Sequence, residues 1–223
     1  MTVHDVGTNH SVWEQFIEHE TFEDIKKRAL FVHVDVPGQE DNAEDLQGSF
    51  PTMQNLGEDL VTVLDQLRIK YCIGIGDGAG ANIIVRFGMM HVTRCLGVIL
   101  LNPTTNQVTM MENLKDRFHK WKLSHINPTG EHMVAFRKFG HKLEDKEDKV
   151  EALEQFKEQL RKTSINKKNL QMYIDAFMAR VDITAKLANE LRCDALLVVG
   201  SKSSQCGAAE YMHSHMDKVS EVA

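Results

Sequence analysis

The sequence predicts an α/β protein, a mostly parallel sheet flanked by helices, and three observations carry that reading. Short apolar runs rich in β-branched residues recur five times, at Thr2–His4, Leu30–Asp35, Tyr71–Ile75, Gly97–Leu101 and Ala195–Val199, each closed by Gly, Pro, Asn or Asp. Helical patterns lie between them. The runs are continuously apolar rather than alternating, as strands covered on both faces are. With 223 residues the chain suits one good-sized domain and not two.

Taken in order, Trp13–Lys27 places Phe16, Ile17, Phe22 and Ile25 among charged residues, and one helix is expected there. Leu56, Leu60, Val63, Leu64 and Leu67 make an apolar stripe at helical spacing. A third helix is expected over Ala79–His91. Between Asn102 and Asp194 the strand signal disappears for about ninety residues, a stretch that holds His119, Trp121, His125 and His132. It also carries the mixed-sign run 142–151, which reads as a solvated helix face. Val150, Leu153, Phe156 and Leu160 form one further amphipathic face, and Leu170, Tyr173, Ile174, Phe177 and Met178 another. The natural interpretation is a helical insertion over the C-terminal edge of the strands. The expected organisation is core at 1–103, helical cap at 104–190 and core again at 191–223, with a last helix over 207–218.

Composition narrows the function. The net charge of −6 lacks the basic surplus that a polyanion binder needs, so nucleic acid is not an expected partner. The four cysteines, Cys72, Cys95, Cys193 and Cys206, form no Cys-x-x-Cys pair, so no disulfide framework and no zinc site is indicated. His213 and His215 are two apart on an expected helix and diverge, so no metal is assigned. No apolar run is long enough to span a membrane, and the N-terminus lacks a signal peptide's regions, so a cytoplasmic protein is expected.

The chemistry-bearing stretch is Tyr71–Ile84, an apolar strand running through a glycine cluster into an apolar helix. Gly76–Ala81 satisfies a dinucleotide fingerprint. That reading needs an acid at the end of the next strand, where the chain has Asn102-Pro103, so no nucleotide cofactor is expected. The other reading is a nucleophile elbow, Gly-x-Nuc-x-Gly, whose small residues let strand and helix approach. Gly76, Asp77, Gly78, Ala79 and Gly80 then form the elbow with Gly78 at its tip, and glycine has no side chain with which to attack. Asp77 is out of register and should point aside. A triad's acid is also missing after the last strand, where Gly200–Gln205 offers none before Glu210, and no further strand precedes a histidine base.

Several segments resemble the N-myc downstream-regulated (NDRG) family: His4-Asp5-Val6-Gly7-Thr8-Asn9-His10, His33–Glu40, Gly76–Asn82, Asn169-Leu170 and Arg180-Val181-Asp182. The resemblance runs in order along nearly the whole chain. It implies an α/β-hydrolase fold with a helical cap, no known hydrolase activity, and cytoplasmic roles in stress response, differentiation and signalling. It also implies that His4–Gly7 is the loop that lines the oxyanion hole in active relatives; read from its residues alone, the stretch is a strand-end turn, with Gly7 supplying unusual backbone angles. Two departures stand out. The chain begins at what would be the third strand and ends before the final strand and helix, and Ser201 stands where many members carry Asp. Unpaired sheet edges and uncovered apolar surface are therefore expected, with association or marginal solubility.

The functional expectation is a non-catalytic adaptor that uses no cofactor and meets unidentified protein partners through the cap. The alternative is a small-molecule or lipid binder, or a weak hydrolase, using a remnant pocket of His4, Asp5, Val6, Gly7, Gly78, Ala79 and Asn82. In that alternative, free N–H groups of Gly78 and Ala79 at a helix N-terminus would attract a small anionic ligand.

Overall fold

A computed structural model describes residues 1–106, 164–201, 203 and 205–216. Five parallel strands form one sheet in the order β2-β1-β3-β4-β5: β1 Thr2–Val3, β2 His33–Val34, β3 Cys72–Asp77, β4 Cys95–Leu101 and β5 Asp194–Val198. All five sequence-predicted strands are present, with ends shifted by a few residues. The largest loss is at β2, where Leu30 stands 78% exposed outside the sheet.

The helices are α1 Ser11–Ile17, α2 Glu23–Lys26, α3 Met53–Gln66, α4 Ala79–Met90, α5 Lys167–Met178, α6 Leu187–Glu190 and α7 Cys206–Ser214. The single helix expected over 13–27 is broken. His19 is extended, and a short 3₁₀ turn at Glu20–Phe22 brings the Phe22 ring to 4.8 Å from Phe16, which also packs edge-on to Trp13. An aromatic contact between residues six apart cannot form on one straight helix, so packing overrides the local pattern. Helix α3 begins at Thr52, whose hydroxyl caps the N–H of Asn55. It buries Leu56, Leu60 and Leu64, while Leu67 lies past its end and stays half exposed.

Helix α4 is the centre of the core, with ten of its twelve residues buried. It crosses β3 closely because that strand presents glycines to it. A Cβ at Gly76 would stand 2.5 Å from the Ala81 nitrogen, and one at Gly80 would strike the Val3 carbonyl. Val3, Gly76, Leu100 and Leu197 share a row across the sheet on this covered face. The residues out of phase with them are less protected: Ile73, Leu196 and Val198 are 51, 41 and 44% exposed.

Of the segment assigned to the cap, 107–163 lies outside the described residues, as do the histidines, charged run and first amphipathic face expected there. Its return, from Ser164, packs on the core. Leu170, Tyr173, Ile174 and Phe177 of α5 are buried with α4 and the strands. Asn169, fully buried, accepts from the Leu46 N–H and donates to the Gly38 and Glu44 carbonyls, which fixes the loop after β2. Arg180 lies 4.0 Å over the Phe177 ring and donates to the Phe177 and Asn106 carbonyls.

Two outcomes follow. Gly80→Ala should destabilise the protein by about 2 kcal/mol or more in urea unfolding, since backbone must move to admit one methyl group. The open apolar face should drive association, read as a sedimentation coefficient that rises with concentration and falls again for Leu196→Ser.

Candidate functional site

The C-terminal ends of β1, β3 and β4 bring three turns together: the loop His4–Gly7, the turn at Gly78, and Asn102–Thr105. Gly78 joins β3 directly to α4 with φ 54° and ψ −108°, a conformation that strains a residue carrying a Cβ. Its N–H donates to the Leu101 carbonyl at 2.9 Å and its carbonyl accepts the first helical bond, from Asn82 at 3.2 Å. The turn therefore has the sharp strand-to-helix shape of an elbow, with no side chain at its tip.

The space beside the tip is filled by Asp5. Its Oδ1 accepts the Ala79 N–H at 2.7 Å, and a Cβ placed on Gly78 would collide with the same carboxylate. The free N–H groups expected at Gly78 and Ala79 are thus both engaged inside the protein. An anion from outside would have to displace Asp5 and take over its charge-assisted bond.

The remaining residues singled out from sequence have assigned places. Asp77 accepts from the Asn102 side chain at 3.0 Å, and it follows Gly76 on the strand, so it points away from α4. Asn82 is 1% exposed, donates to the Thr104 carbonyl at 2.8 Å and accepts from Arg86 Nε at 2.9 Å. Its side chain holds α4 to the segment after β4. Arg86, itself buried, also donates to Gln54 and to the Val181 carbonyl. Val6 is core, and Gly7 has the positive φ, 78°, expected of it.

His4 is fully buried and uses both ring nitrogens. Nδ1 donates to the Asp5 carbonyl at 2.8 Å, and Nε2 accepts the Val36 N–H at 3.0 Å, which fixes one neutral tautomer. Desolvation holds its imidazole below the ordinary pKa, against the opposing pull of Asp5 and Asp35. Residues not singled out from sequence complete the arrangement. Asp35 accepts the backbone N–H of His10 and its Nδ1, both at 2.6 Å, and this hydrogen bond raises the His10 pKa. Asn9 donates to Asp41, and the Tyr173 hydroxyl donates to the His4 carbonyl at 3.3 Å. The signal for Asp35 was present in the His33–Glu40 segment, but pairing with His10 depends on β1 and β2 being neighbours.

No group of three His, Cys, Asp or Glu among the described residues could hold a metal ion. Among them no helix is long and apolar enough to cross a membrane.

Residues 1–222 match the model of the Ndr family. An uncharacterised protein of Caenorhabditis elegans is 38% identical over 222 residues, covering 98% of this chain and 66% of its own length. The NDRG-like protein of Dictyostelium discoideum is 30% identical, covering 92% of this chain and 63% of itself, and Protein NDRG1 of Xenopus tropicalis is 29% identical, covering 97% and 55%. The chain thus spans between 55 and 66% of the length of these relatives. Among solved structures, a hydrolase from Oleispira antarctica aligns with TM-score 0.69 at 13% identity, covering 100% of this chain and 80% of that one. A thermophilic esterase from Thermogutta terrifontis aligns at 0.68 and 16%, covering 96% and 76%. These likenesses establish the α/β-hydrolase fold.

The two histidines predict opposite pH responses. For His4 the folded pKa is lowered, so its contribution to stability is complete above about pH 6.5 and is lost as pH falls below that value. For His10 the folded pKa is raised, so its contribution is present below about pH 6.5 and lost as pH rises through the raised value. The partly exposed His10 pair is screened by water and salt, so acidification from about pH 7 to pH 5 should lower Tm. His10→Gln should steepen that loss and His4→Gln should flatten it, as followed by circular dichroism melts.

Proposed function

The chain belongs to the Ndr family, and from that premise we propose that it is a non-catalytic member of the α/β-hydrolase fold, acting as a cytoplasmic adaptor or signalling component in stress response or differentiation. One observation carries the non-catalytic part of the reading. The Asp5 carboxylate is hydrogen-bonded to Ala79 N–H beside a glycine tip, where a hydrolase would keep a nucleophile and an open donor for the oxyanion. A negative charge there opposes the charge that develops on a tetrahedral intermediate.

The other triad positions support the same reading. The stretch after β5, Gly200–Gln205, contains no acid. At the end of β4 stands Asn102, tied to Asp77 and Ser203. His4, the histidine in the adjoining loop, is buried and has both nitrogens committed to the backbone. Loss of triad members costs several orders of magnitude in rate, so nothing above background is expected.

The adaptor part rests on the family and on fold-level reasoning, since insertions are where proteins of one fold diverge. In this proposal partners dock on the cap, 104–190, of which the test below removes 107–163.

The test has two arms. Purified protein should hydrolyse no generic ester above buffer and should gain no mass with a fluorophosphonate probe. Gly78→Ser should stay inactive and melt lower, because Asp5 blocks the added side chain. Turnover abolished by Asp77→Asn or Asp5→Asn would overturn the non-catalytic reading. For the adaptor reading, replacing 107–163 by a short flexible linker should abolish capture of partners from cell extract. Equal recovery by a folded deletion variant would exclude that segment as the docking surface.

A further inference from the structure

At the edge of the sheet opposite the elbow, the N-terminal ends of β3, β4 and the approach to β5 each place a cysteine. Cys72 and Cys95 are register partners on neighbouring strands. Cys193, just before β5, lies with its Sγ 3.8 Å from the Sγ of Cys95. Cys95 is buried, at 3% exposure, whereas Cys193 is half-buried and reachable from solvent. We propose that Cys95 and Cys193 form a thiol oxidation site that closes to a reversible disulfide under hydrogen peroxide and pins β5 to β4.

The geometry is close to what the bond requires. A disulfide has its sulfurs about 2.05 Å apart, so the pair must close by about 1.8 Å to form one. The two thiols have different roles. Cys193 is half-buried and is the thiol that peroxide can reach, and its contact with Cys95 lowers its pKa, whereas Cys95 is buried, with a pKa raised by that contact and by desolvation. Cys193 is therefore the attacking group and Cys95 the resolving one. The Cys193 thiolate attacks one peroxide oxygen, the O–O bond breaks, and hydroxide leaves to be protonated to water. The resulting sulfenic acid is attacked by the Cys95 sulfur; the S–S bond forms, the S–O bond breaks, and the departing hydroxide takes the Cys95 proton. Two thiols and one peroxide thus give one disulfide and two waters, two electrons passing from sulfur to oxygen.

Cys72 and Cys206 serve as internal references, since desolvation raises the pKa of each and holds them as thiols. The bond would matter most to β5. Among the described residues that strand pairs only with β4, and of its five side chains Ala195 and Leu197 are the ones that pack against the core, so it is a lightly held edge. The disulfide would also join positions 98 apart in sequence, and so close the whole loop that contains 107–163.

The experiment exposes the full chain to hydrogen peroxide, blocks the remaining thiols with iodoacetamide, and maps peptides by mass. The expected result is alkylation at Cys72 and Cys206 alone, a Cys95–Cys193 cross-linked peptide that dithiothreitol removes, and a Tm raised by roughly 5 °C or more in the oxidised form. Cys72→Ser and Cys206→Ser should leave the link intact and Cys193→Ser should abolish it. A map of the unsubstituted protein decides the matter should a variant fail to fold. Equal alkylation of all four cysteines, a link through Cys72 or Cys206, or sulfinic acid at Cys193 without a link would each overturn the proposal.

Discussion

Everything at the upper edge of the sheet depends on one charge-assisted hydrogen bond, from the Ala79 N–H to the Asp5 carboxylate. It forms at the first residue of α4, the helix around which the core is packed, and it ties that helix to the loop after β1. Helix N-termini carry unsatisfied N–H groups and a partial positive charge, so a carboxylate placed there is stabilised by about 0.3–1 kcal/mol, and by up to about 2 in a partly buried site. In a hydrolase the same donor is left open for the transition state. Here it is spent on the ground state of the fold.

The residues around that bond behave as scaffold. The Asp5 carbonyl accepts from His4 Nδ1 and from the Thr8 N–H and hydroxyl, so the loop is wound about its own backbone. Asp35 then clamps His10 from the neighbouring strand end, while Asn169 and Arg180 fasten the returning chain to the loops after β2 and β4. The segments that resemble the NDRG family are thus largely those whose polar side chains bond to distant backbone. Such bonds are costly to leave unmade once the groups are buried, about 1–3 kcal/mol for each orphaned partner. A polar signature that looks chemical from sequence is in this way accounted for by folding.

The five strands and the helices α3, α4 and α5 were legible because apolar runs and helical stripes report burial directly, and the glycine cluster announced the β3–α4 turn. Three things were not. The break at His19 depends on Phe22 reaching Phe16, a contact that local periodicity does not encode. The Asp35–His10 pair joins residues 25 apart through strand order. Most consequential was Asp5: sequence reasoning placed it in a remnant pocket beside free N–H groups, whereas its carboxylate consumes one of them. The sign of that interaction is invisible without the distance between two loops that are 74 residues apart.

The shape of the elbow is set by packing. Gly76 and Gly80 are small because β3 and α4 touch there, and a methyl group at either position would meet backbone. That requirement concerns packing and is independent of what stands at the tip. Gly78 differs, since its positive φ and the adjacent carboxylate both disfavour a side chain. Placing a hydroxyl at the tip therefore takes more than a Gly78→Ser change: Asp5 must also leave, and the helix would lose its internal anion. Reactivity and stability compete for one donor, and in this chain the donor is held by the fold.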